Sequence, residues 1–411
     1  MTDTPMSDAA AGLDSGVKPD SGMQSAPGVQ SASGSLPEAP KPTFAPLDVP
    51  DPRLVDRPVV RPGAEPTSRR ASRFSRASRA SRFSRVAAEP SAPDILESDP
   101  FLGRPRVSSR VIAAVLGVLL LAASAGVWWL AVRTAAGQQL DDMVLGAFGG
   151  TVPGWIAGRG AVGALLKSSA LMIGVAAAMG VGGLAVALLR RRWWLAGQTV
   201  GFAVVAYAAA RLLKELLPRE TLVRTVVTES GAPLTNTAPS GHMALTIAAG
   251  LVLLCAVPRA FRALVAVAAG AWSALVGALL IANGWHRPSD IVMAYLLVGG
   301  LALIALAFTR GSGMDRPGTR VSSVSVQVAA SVLITAGAVA CLYAAYVVWQ
   351  FVPSLDVGPE WMAAPACATA KVAIAGCAAL VFGLALALRQ LTAAPLSKMG
   401  LVGAPPAPPQ K

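Results

Sequence analysis

The chain has 411 residues, of which 54% are hydrophobic and 14% charged, and a net charge of +13. So apolar a composition over this length excludes an ordinary soluble domain and implies membrane spans. The basic excess then reads as the cytoplasmic side of a membrane protein rather than a nucleic-acid footprint, and no nucleic-acid partner is expected.

Residues 1 to about 105 are rich in Ser, Pro and Arg and poor in large apolar side chains. They cannot bury enough surface to offset ordering entropy, and are read as a disordered cytoplasmic tail. Seven arginines fall between Arg69 and Arg85 with no acid among them. With Phe74 and Phe83 they suit contact with anionic membrane lipids, weakened by phosphorylation of the interleaved serines.

No leader is expected, because the first apolar run starts near Val111 and is too long for a signal-peptide core. Apolar segments then follow at about 111–132, 161–189, 194–213, 241–258, 263–283, 289–308, 324–349 and 368–389. The fold class is therefore all-α, a polytopic transmembrane helix bundle. Residues 106–308 form the membrane domain, 309–390 two additional spans, and 391–411 a short tail. Small residues dominate the spans and favour close helix packing. The four cysteines, Cys255, Cys341, Cys367 and Cys377, lack metal-ligand spacing and read as small buried side chains.

Arg190–Arg192, Arg259, Arg262, Arg310, Arg316, Arg320, Lys398 and Lys411 all fall on one side of an eight-span count. That side is expected to be cytoplasmic, with both termini inside. Arg211, Lys214, Arg219, Arg224 and Arg287 fall on the other side and call for an anionic substrate there.

The only two histidines sit on that outer side. His242 ends Pro239-Ser240-Gly241-His242, where a helix begins and its N–H groups face outward, as a phosphate requires. His286 lies in Trp285-His286-Arg287-Pro288-Ser289-Asp290, with Asp290 four residues on, where a carboxylate can fix the imidazole tautomer. Antiparallel pairing of the fourth and fifth spans brings both histidines to one face. To share a phosphate the imidazoles must come within about 8 Å of each other.

These motifs resemble those of the type 2 phosphatidic acid phosphatases (PAP2), membrane lipid phosphatases related to vanadium haloperoxidases. The resemblance covers roughly 190–308, or 110–308 if the preceding spans complete that family's six helices. Pro-Ser-Gly-His is intact. His286 and Asp290 match the second half of the family's third motif, whose Ser-Arg is here Leu279-Leu280. Leu217-Pro218-Arg219-Glu220 looks like the end of the first motif, with Glu220 in place of proline and Lys214 five residues before Arg219.

The resemblance implies His286 as nucleophile, Asp290 as its orienting group and His242 as acid and then base. It implies Lys214, Arg219, Ser240 and Gly241 as phosphate ligands, with Arg287, Arg224 and Arg211 as further cations. The implied activity is hydrolysis of a lipid phosphate monoester or pyrophosphate through a phosphohistidine, without metal or other cofactor. The implied place is the outer face of a cell membrane; the Ala/Gly/Arg-rich composition suggests a bacterial one. A phosphotransferase of the same chemistry and a degenerate transporter or scaffold are the competing readings.

Overall fold

The computed structural model describes residues 105–218, 220–223, 237–315, 324–355 and 360–393. The expected N-terminal tail and its arginine stretch lie outside them, as do Arg219, Arg224, Arg316, Arg320, Lys398 and Lys411. Among the described residues the structure is all-helical, without strands. The helices are α1 (Val107–Val132), α2 (Ala135–Ala147), α3 (Gly160–Lys167), α4 (Ser169–Leu189), α5 (Trp193–Leu216), α6 (Gly241–Ala256), α7 (Arg259–Ala282), α8 (Pro288–Ala307), α9 (Val324–Phe351) and α10 (Ala363–Ala393). Short 3-10 turns follow α2 and α8 and flank the α9–α10 loop.

Seven helices, α1, α4, α5, α7, α8, α9 and α10, are long and apolar enough to cross a membrane. This is compatible with a multi-pass membrane protein. Helix α6 has 16 residues, about 24 Å of rise against a hydrocarbon core of about 30 Å. Burial explains how it can be short: most of its side chains pack inside the bundle, so they do not have to match the lipid. The expected span over 161–189 is broken at Ser168, whose extended backbone ends α3 and starts α4.

Small residues set the closest crossings. A Cβ on Gly117 of α1 would lie 2.7 Å from the Gly300 carbonyl oxygen of α8, and one on Gly300 would lie 2.7 Å from that of Gly117. Only a pair of glycines permits this backbone approach. Gly337, Gly376 and Gly383 do the same between α9 and α10. Helix α10 is no peripheral addition. Its Phe382 is fully buried beside Gly250 of α6 and Gly270 of α7. Helix α9 is the outlying member, with much of its surface exposed.

The basic loops meet at one end of the bundle around Asp315. Arg262 grips its carboxylate at 2.9 and 2.8 Å, while Arg192 and Arg259 add bonds of 3.3 and 3.2 Å. Arg389 of α10 donates to the carbonyl of Gly313 at 3.0 Å. Burial alone would push the Asp315 carboxyl up. The Arg262 hydrogen bonds, with the charges of Arg262, Arg389 and Arg259, outweigh it and hold the carboxyl far below the usual carboxylate range. This clasp ties α5, α7 and α10 at the end opposite the histidines.

Candidate active site

The histidine site is built by two helix boundaries. Helix α7 stops at Ala282, and Gly284 follows with φ of +71°. The Trp285 N–H then donates to the Leu280 carbonyl at 3.0 Å and the Gly284 N–H to the Ile281 carbonyl at 2.9 Å. This is a Schellman ending, in which a left-handed glycine reverses the chain. It turns His286 back over the end of α7.

Helix α8 starts immediately. Pro288 occupies its first turn, where no N–H is needed. Asp290, at the third helical position, accepts the N–H of Arg287 at 3.0 Å and so caps the helix. The same oxygen lies 3.2 Å from His286 Nδ1 and also accepts the Thr237 hydroxyl. A carboxylate with these partners favours a proton on Nδ1, which leaves Nε2 as the ring's lone-pair nitrogen. Capping and imidazole orientation thus fall to one side chain.

Helix α6 starts beside it. Ser240 is its N-cap, and its hydroxyl accepts the Met243 N–H at 3.4 Å. The Ser240 N–H donates to the Asp290 carbonyl at 3.2 Å, which joins the starts of α6 and α8. His242 follows in the first turn, half-buried, its ring centroid 6.3 Å from that of His286 and 6.0 Å from that of Trp285. A Cβ added to Gly241 would meet nothing within 4 Å, so that side of the helix start is open.

The cations expected around the histidines are distributed differently. Lys214, half-buried in the last turn of α5, lies close enough to His242 to act on it electrostatically. Arg211 is exposed on the same helix. Arg287 is only 1% exposed, and its Nε donates to Asp142 Oδ1 at 2.8 Å. Its charge is met by a buried acid. The Ser240 hydroxyl is likewise buried and used as a cap. Glu220 pairs with Arg133 at 3.0 Å. Leu279 and Leu280 are fully buried and belong to the core. Arg219 and Arg224 are outside the described residues, as noted.

Helix α2 falls between the apolar segments at 111–132 and 161–189, where the sequence pattern predicts no helix. Three of its polar side chains are buried: Gln138, Asp141 and Asp142. Asp141 accepts both the N–H of Ser289 at 3.3 Å and its hydroxyl at 2.5 Å. The signal was present: Thr134 precedes the helix as an N-cap, its hydroxyl accepting the Gly137 N–H at 3.0 Å. Among the described residues no group of three or more His, Cys, Asp or Glu side chains could hold a metal ion.

No family model, curated protein or solved structure matches the chain. The functional reading therefore rests on the site itself.

Proposed function

We propose that the chain is a lipid phosphatase that works through a phosphohistidine on His286. The observation that carries this is the imidazole pair, 6.3 Å apart between centroids, with Asp290 behind His286 at 3.2 Å. That spacing lets one ring reach phosphorus while the other reaches the leaving oxygen.

In the first step His286 Nε2 attacks phosphorus, and the bond to the lipid oxygen breaks. The proton for that oxygen comes from protonated His242. Asp290 balances the positive charge that grows on the His286 ring. In the second step the now neutral His242 takes a proton from water, and the resulting hydroxide attacks phosphorus. The P–N bond breaks, free phosphate leaves, and both rings return to their starting states. Lys214 and the open start of α6 supply positive potential to the phosphate oxygens.

On this reading α1 and α3–α8 form a six-span core like that of the type 2 phosphatidic acid phosphatases, with α9 and α10 added. The histidine end faces outward in a cell membrane, and the arginine end faces the cytoplasm. The substrate is a phosphate monoester or pyrophosphate on a membrane lipid, such as a phosphatidate-like or polyprenyl lipid. Competence does not require every cation of that family: Lys214 remains near His242, although Arg287 is engaged by Asp142.

The test uses purified full-length chain in detergent and lipid phosphate labelled with phosphorus-32. Wild type is expected to release phosphate and to show acid-labile, alkali-stable label on rapid quenching. His286→Ala is expected to do neither. Label or turnover in His286→Ala equal to wild type would sink the assignment. Transfer of label to an added alcohol, in place of water, would make the chain a phosphotransferase.

A further inference from the structure

Helix α2 is too short to cross a membrane, with 13 residues and about 20 Å of rise. It buries Gln138, Asp141, Asp142, Val144 and Leu145, and all but Val144 recur at the spacing of a single helical face. Three of the five are polar, which is costly unless each is satisfied. All three are satisfied, by two chain segments at the histidine site and by the end of α1.

Asp142 takes Arg287, with both side chains only 1% exposed. Asp141 takes Ser289 through N–H and hydroxyl. These acids grip the residues on either side of Pro288. The gripped residues lie between those the chemistry needs, because His286 precedes Arg287 and Asp290 follows Ser289. Gln138 holds the second segment. Its Nε2 donates to the Glu220 carbonyl at 2.9 Å, and its Oε1 accepts the N–H groups of Leu222 and Val223 at 2.9 and 3.2 Å. That segment leaves α5 just after Lys214. Nε2 also donates to the Val132 carbonyl at 2.8 Å, which anchors the clasp to the end of α1.

We infer that α2 is the positioning element of the site: Asp141 and Asp142 set the placement of His286 and Asp290, while Gln138 holds the segment beyond Lys214 in register with them. The inference rests on the phosphatase reading. Asp141 and Asp142 do not act as catalytic acids in it, because both oxygens of Asp141 are bonded to Ser289 and Asp142 is paired through Oδ1 with the buried Arg287. They act through the backbone between the histidine and its carboxylate. A displacement of about 1 Å there costs about 100-fold in rate.

The test compares full-length wild type, Asp141→Ala, Asp142→Asn and Gln138→Ala in detergent with a short-chain phosphatidate as substrate. Gly383→Ala, which crowds α9 against α10 away from the histidines, serves as a destabilised control. Rates are expressed per folded protein, with folding read from thermal unfolding. The two acid variants are expected to lose about 10–100-fold in kcat with KM changed less than about twofold. Gln138→Ala is expected to lose less, and Gly383→Ala to keep its kcat.

If the acid variants match Gly383→Ala in kcat, or change KM alone, α2 is only structural and the inference falls while the phosphatase reading stands. If wild type turns over no lipid phosphate, the phosphatase reading falls and takes this inference with it.

Discussion

Replacing Asp290 separates two effects that its single oxygen combines. The Arg287 backbone N–H, 3.0 Å from Oδ2, can donate but never accept. In Asp290→Asn it therefore requires the amide oxygen, not the amide nitrogen, at that position. His286 Nδ1, 3.2 Å from the same point, still meets an acceptor and keeps its tautomer. What is lost is the negative charge. A hydrogen bond to a charged group contributes about 1.5–3 kcal/mol and a neutral one about 0.5–1.5. The difference, about 1–1.5 kcal/mol, converts to a fall of about 5–15-fold in kcat/KM. Asp290→Ala removes the acceptor, leaves the Arg287 N–H without a partner and frees the imidazole, for an expected loss on the order of 10³-fold. The assay is phosphate release from a short-chain lipid phosphate by detergent-purified protein, with thermal unfolding as the folding control. If Asp290→Asn is as slow as Asp290→Ala, the helix cap does not dictate the amide's orientation. If it matches wild type, the carboxylate charge has no part in the reaction.

Other expectations follow from the same contacts. His242→Ala is predicted to lose at least about 10²-fold on lipid phosphates and to recover much of its phosphorylation step with an activated leaving group such as p-nitrophenol, because only a poor leaving group needs the proton; equal losses on both substrates would remove His242 as the acid. Asp315→Asn leaves buried arginines without their acid and is predicted to cost about 3–5 kcal/mol in stability, read from thermal or denaturant unfolding of the detergent-solubilised protein. Because the folded protein depresses the Asp315 carboxyl, its contribution is present above the unfolded value of about 3.9 and fades as pH falls below it. Wild type is therefore expected to lose stability below about pH 4 more steeply than Asp315→Asn, and parallel curves would refute the linkage. Gly300→Leu places a side chain where a single Cβ would already lie 2.7 Å from the Gly117 carbonyl oxygen. It is predicted to destabilise the α1–α8 crossing by about 1–3 kcal/mol, and an unchanged melting curve would refute this.

Local pattern made much of the site legible. A glycine after an apolar helix, a proline opening the next and an acid at its third position specify a reversed chain with a cap, so His286 and Asp290 could be paired from spacing alone. Ser240 was legible as a helix start, although its hydroxyl turns out to serve the cap. Arg287 illustrates the limit. A basic residue in a short outer loop looks available to a phosphate, but its partner Asp142 comes from a segment far away in sequence, and no local rule joins them. Helix α2 escaped as well. Its buried residues mix Gln138, Asp141 and Asp142 with Val144 and Leu145, and at 13 residues it is too short to register as a membrane span.

The sequence by itself determined the apolar helices, the asymmetry of basic loops and the placing of two histidines and one aspartate at helix boundaries, because each depends on composition or on neighbours within a helical turn. Tertiary structure decided which polar groups meet. It spent the Arg287 charge on Asp142, gathered Arg192, Arg259 and Arg262 on Asp315, and buried α6 deeply enough to let it be short. Those results depend on helices distant in the chain coming to lie side by side, where a buried charge must find its partner or be excluded.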